Sequence, residues 1–148
     1  MDLGFLQKDA LLIFEQMSGR RLRQELFHVA DLIAAGKLNQ TKRLLHHLLQ
    51  ARCNIFTERE VAAYEAAIDD PSQFYAEAMV MREAEAEFIN ETLTELMDNA
   101  EALAVSDRRY TRSDLALWIM VALVDIPQEL QKRFELALAD YDSTKTAT

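Results

Sequence analysis
Apolar residues recur along this chain at intervals of three and four, the spacing that keeps one face of an α-helix apolar. Leu3, Leu6, Ala10, Leu11, Phe14 and Met17 mark a first helix that begins at Asp2 or Gly4 and closes near Ser18-Gly19. Leu22, Leu26, Val29, Ala30 and Ile33 mark a second over about Arg20 to Ala35, with Gly36 as its left-handed stop. Asn39 caps a third, to about Arg52, on the stripe Leu44, Leu45, Leu48 and Leu49. The short link Gly36-Lys37-Leu38 folds the third back antiparallel on the second. Thr57-Glu58-Arg59-Glu60 has the form of a capping box, in which the Thr oxygen and the Glu carboxylate each satisfy an end N–H. It starts a fourth helix to about Ile68.

Asp70-Pro71-Ser72-Gln73 opens a long fifth helix, with Asp as cap and Pro in the first turn, where its missing N–H costs nothing. Tyr75, Met79, Ala86, Ile89, Leu93, Leu96, Ala100 and Leu103 follow in alternating steps of three and four, a coiled-coil-like seam in which Arg82 occupies one position. A helix of 35 residues, Asp70 to Ala104, is about 50 Å long, so part of it overhangs a small domain unless it kinks near Asp98-Asn99. Ser106 to Tyr110 is polar loop, and Thr111-Arg112-Ser113-Asp114 caps a segment, Leu115 to Val124, that is apolar all round and belongs in the centre. Asp125-Ile126-Pro127 breaks it and restarts a last helix with Leu130, Phe134, Ala137, Leu138 and Tyr141 inward. The tail, Asp142 to Thr148, is expected to fray.

The expected fold is all-α: a helical bundle of about six helices, with one long acidic helix and a central apolar one, forming a single domain over residues 1–141. Composition agrees, since three glycines and two prolines in 148 residues leave little turn punctuation. The longest charge-free stretch, Leu115 to Val124, is ten residues against the ~20 that cross a bilayer, so no membrane association is expected. The start Met1-Asp2-Leu3-Gly4 lacks a basic leader, and the lone Cys53 has no internal disulfide partner; both fit the cytoplasm.

Charge changes the picture more. The net charge of −9 is concentrated in residues 57–107, which carry fourteen Asp/Glu and two Lys/Arg, whereas residues 1–56 carry five and eight. Within the long helix, Glu83, Glu87, Glu91, Asp98 and Glu101 fall on the side away from the seam, within about 120° to 200° of Ile89. Glu83 and Glu87, and again Glu87 and Glu91, place like charges four residues apart, an arrangement that local helix stability does not favour. This acidic ridge is the first candidate surface for a partner. Arg82 and Glu85, opposite in sign and three residues apart near the seam, are expected to pair, as an end-of-core salt bridge with both heads reaching water or, as the alternative, as an interface pair that controls register at a helix contact.

Arg20, Arg21 and Arg23 form the strongest basic cluster, with Lys42 and Arg43 brought near it across the helical hairpin. It is a candidate for weak nucleic-acid binding or for another copy's acidic ridge. The acidic balance and the lack of interleaved aromatics make nucleic acid the less economical choice. Glu25-Leu26-Phe27-His28 has the spacing of a di-iron ligand pair but occurs once, so His28 reads as a surface or boundary residue. His46 and His47 read as solvent-facing, Cys53 as a small core residue and Trp118 as core. Ala34 to Leu38 followed by Arg43-Leu44-Leu45 resembles half a tetratricopeptide unit, without a second copy.

Glu95-Leu96-Met97-Asp98 resembles half of the carboxylate pattern by which all-α nucleoside triphosphate pyrophosphohydrolases hold magnesium; that family pairs it with an upstream Glu-x-x-Glu, which this sequence lacks. The resemblance implies a Mg²⁺-dependent nucleotide hydrolase in which Glu95 and Asp98 turn toward carboxylates on a neighbouring helix. In size and charge the chain also resembles small acidic helical secretion chaperones. The residues themselves favour a non-catalytic, chaperone-like adaptor or regulator without cofactor. It presents its acidic ridge, or a groove beside it, to a basic or amphipathic protein partner, and its overhanging seam points to a homodimer.

Overall fold
The computed structural model describes residues 19–105 and 110–146, so the helix expected over residues 2–18 lies outside the described residues. Every described element is helical: α1 (Arg20–Ala34), α2 (Leu38–Ala67), α3 (Pro71–Ala104), α4 (Arg112–Val124) and α5 (Ile126–Thr146). The all-α class holds, with five described helices in place of about six. Asp125 alone separates the last two. No helix is long and apolar enough to cross a membrane among the described residues.

Local chemistry explains most boundaries. Gly36 has φ 71°, the left-handed conformation, and the N–H groups of Gly36 and Lys37 donate to the carbonyls of Ile33 and Leu32, the paired bonds that close a helix at glycine. The Asp70 carboxylate accepts from the Ser72 N–H at 3.0 Å, so α3 starts where its cap and proline require. Thr111 and Asp114 cap α4 reciprocally. The last helix extends past Tyr141 through Thr146, beyond the point where fraying was expected.

Two expectations fail. The third and fourth helices are a single helix, α2, and Thr57 lies in its interior. A capping box is a local preference, whereas Leu45, Leu48, Leu49, Cys53, Thr57 and Val61 form one uninterrupted buried stripe that rewards continuing the helix. No glycine or proline between Leu38 and Ala67 opposes it. The seam of α3 is likewise buried only in its second half. Leu93, Leu96 and Ala100 are buried, but Tyr75, Met79, Arg82 and Ala86 are exposed, and Ala78, Met81, Glu85 and Phe88 take their place. At about 100° per residue this stripe lies about 70° round the helix from the later one.

The packing divides the chain into two compact units, residues 1–48 with 93–124 and residues 49–92 with 125–148, so α2 and α3 each serve both. In the first unit α1 packs along α4. Leu26, Val29 and Ile33 are buried there, as are all residues from Asp114 to Met120, including Trp118. Only the final turn of α4 departs from the all-buried expectation, with Val121 and Val124 exposed. Arg112 anchors this unit at the surface, its guanidinium 4.4 Å from the Phe27 ring centre and 3.1 Å from the Asp31 carboxylate. In the second unit the later part of α2, the earlier part of α3 and α5 bury Cys53, Met81, Phe88, Leu130 and Phe134. Phe56 and Phe134 stack at 5.9 Å between centres.

Candidate functional site
Within the second unit, α3 and α5 leave a groove of about 540 Å³ between them. On α3 its wall is Val80, Glu83, Ala84 and Glu87, residues at i, i+3, i+4 and i+7, which share one face. On α5 it is Arg133, Leu136, Ala137, Asp140, Tyr141 and Thr144, again at helical spacing. Small residues, Ala84 and Ala137, line both walls. Leu136 is 70% exposed, an apolar side chain offered to whatever enters.

The rim is acidic. Among the described residues Arg133 is the one cation lining the groove, and it is already engaged: it donates to the Glu91 carboxylate and its guanidinium lies 5.9 Å from the Phe88 ring centre. That hydrogen bond holds Glu91 below the ordinary carboxylate range and Arg133 above its own, with the negative charges of Glu87 and Glu129 adding to the second effect. Glu83, Glu87 and Asp140 are left without an ion-pair partner among the described residues. At the same end of α3, Glu77 is 7% exposed with Oε2 lacking a hydrogen-bond partner among the described residues. The Tyr64 hydroxyl is pushed up by burial, then by Glu77, Glu60, Asp142 and Glu135.

The ridge foreseen in the sequence is exposed throughout, at Glu83, Glu87, Glu91, Asp98 and Glu101, but it divides between the units after Glu91. Its first three members sit on the rim of the groove or beside it. The pairing expected between Arg82 and Glu85 is absent. Arg82 meets Glu58 on α2 at 3.4 Å, while Glu85 points into the core and its charge helps to raise the Cys53 thiol. Position 85 follows the stripe of Met81 and Phe88 inward, leaving Arg82 about 60° away on the flank facing α2.

Arg20, Arg21, Lys42 and Arg43 are exposed and Arg23 half-buried, all in the first unit. Arg43 lines a separate groove of about 440 Å³ with His28, Leu32 and His47. Arg20 to Arg23 lie between one and about two turns beyond His28 along α1. His46 is exposed as expected. Glu95 and Asp98 are exposed on α3, and no group of three or more His, Cys, Asp or Glu side chains is arranged to hold a metal ion among the described residues.

Sequence reasoning found the acidic wall and missed the opposite one. Arg133, Leu136, Ala137 and Asp140 recur at helical spacing on α5 and were legible as a stripe. That α5 lies against the ridge side of α3 is a tertiary fact that no local pattern carries. Comparison of the chain with protein-family models, with curated proteins and with solved structures finds no match.

Proposed function
We propose that this protein is a non-catalytic binding module that receives a basic amphipathic helix of another protein in the groove between α3 and α5. One observation carries the reading: an exposed apolar side chain, Leu136, lining the groove with small residues and with Glu83, Glu87 and Asp140, none of which has an ion-pair partner among the described residues. An amphipathic helix lays its apolar face into such a groove through anchors at i, i+3, i+4 and i+7, and lysines or arginines at its edges meet the acidic rim. The uneven charge of the chain also steers a basic partner toward this half of α3.

The test is fluorescence anisotropy with a labelled Leu/Lys amphipathic helical peptide and a Leu/Glu peptide of the same pattern. The basic peptide binds and the acidic one does not. Glu83→Lys with Glu87→Lys weakens binding at least about tenfold at low salt, and Leu136→Asp does so with little salt dependence. Equal binding of the two peptides, or affinity unmoved by either variant, overturns the reading.

A further inference from the structure
The second unit carries another exposed surface, on a different flank of α3. Tyr75 is 67% exposed, Met79 60% and, on α2, Ile55 55%. The ion pair between Arg82 and Glu58 fixes how these residues relate: Met79 and Ala86 lie one turn to either side of Arg82 on α3, and Ile55 and Ala62 one turn to either side of Glu58 on α2. Ala62 and Ala86 are exposed as well. The two helices therefore present a joint face of small and apolar residues around a single ion pair.

We infer that this face is where a second copy of the chain docks, two helices from each copy forming a four-helix layer. Three observations select a second copy as the occupant. Tyr75, Met79, Arg82 and Ala86 keep steps of four, three and four, the 3.5-residue repeat that tracks a neighbouring helix. Within its own unit α3 buries a different stripe, Ala78, Met81, Glu85 and Phe88, and leaves Tyr75, Met79 and Ala86 exposed. The charge of the face is self-compensating: Arg82 and Glu58 cancel, on a chain whose net charge is −9, so copies meet here without bringing like charges together. A basic partner gains nothing from such a neutral surface and is drawn to the groove instead. In a two-fold arrangement Arg82 can exchange its own Glu58 for the other copy's, so the pair stays satisfied.

The size of the face sets the strength. About two turns of α2, Ile55 to Ala62, and about three of α3, Tyr75 to Ala86, present about 20 Å by 15 Å, so pairing removes on the order of 600–700 Å² in all, the size of a weak, transient contact. The expected dimer is reversible, with dissociation in the micromolar range.

Sedimentation equilibrium of the full chain from about 1 to about 300 µM tests this. The weight-average mass is expected to rise from the monomer's 17.0 kDa toward twice that value. Met79→Glu weakens association at least about tenfold. Ile55→Glu, on the other helix, does the same, so that a folding defect in one variant cannot imitate loss of the interface; circular dichroism establishes that each is folded. Leu136→Asp, which reports on the groove, leaves association unchanged. A chain that stays monomeric across the range, or an association that survives both glutamates, overturns the inference whether or not the groove binds a peptide.

Discussion
Thr111 and Asp114 hold each other's backbone at the start of α4: the Thr111 N–H donates to Asp114 Oδ2 at 2.9 Å, and the Asp114 N–H to Thr111 Oγ1 at 3.0 Å. Asp114 is 1% exposed and opens the most deeply buried helix of the chain, so this cap secures the core of the first unit. Thr111→Val is expected to cost about 1 kcal/mol and Asp114→Ala about 2 kcal/mol. Because the bonds are reciprocal, the double variant should lose less than the sum. Urea titration measures this as a lower midpoint at unchanged slope.

Thr57 separates two views of α2. As the cap of a new helix its hydroxyl would stabilise the fold; buried inside one continuous helix, with Oγ1 lacking a hydrogen-bond partner among the described residues, it does the opposite. Thr57→Val keeps the shape and removes the unmatched hydroxyl. A gain of about 0.5–1.5 kcal/mol is expected, and the sign alone, read from the denaturation midpoint, decides between the two.

Cys53 is the sole cysteine and wholly buried, its thiol pushed up from 9.0 to about 12 by burial first and by the Glu85 charge second. The folded chain keeps the thiol proton in that interval while the unfolded chain gives it up. This contribution is therefore complete below pH 9 and is lost as pH rises toward 12. At pH 8 an aromatic disulfide reagent should leave the native protein unlabelled and react with one thiol per chain in urea. Native labelling at the urea rate would contradict the burial.

Glu91 is exposed, and its carboxyl is held down by the hydrogen bond from Arg133. The folded pKa lies below the unfolded one, so the interaction is present above the ordinary value of 4.5 and is lost as pH falls through the depressed one. An NMR titration of the side-chain carboxyl carbon should place Glu91 below the ordinary carboxylate range, and Arg133→Gln should return it there. An unchanged midpoint in that variant would remove Arg133 as the cause.

What the sequence disclosed follows from how far each cause reaches along the chain. Gly36, Asp70-Pro71 and the Thr111-Asp114 box act within a few residues, and each marks a boundary that the structure keeps. The apolar run after Asp114 needed no knowledge of its neighbours to be placed in a core. Thr57 misled because a four-residue signature competed with a stripe of seventeen residues, Leu45 to Val61, and the longer pattern won. Tyr75 and Met79 misled because one helix carries two apolar registers: the first half of α3 buries Ala78 and Met81 instead. At the candidate site, the exposed glutamates of α3 were legible as charge alone. Arg133 and Leu136 were not, since their importance arises from an antiparallel neighbour more than forty residues away in sequence.

The chain visits the two units alternately, residues 1–48 in one, 49–92 in the other, 93–124 back in the first and 125–148 again in the second. Neither unit is thus a continuous stretch of polypeptide. Dividing the chain into two fragments at any point between Leu48 and Asp125 therefore leaves at least one of the units incomplete.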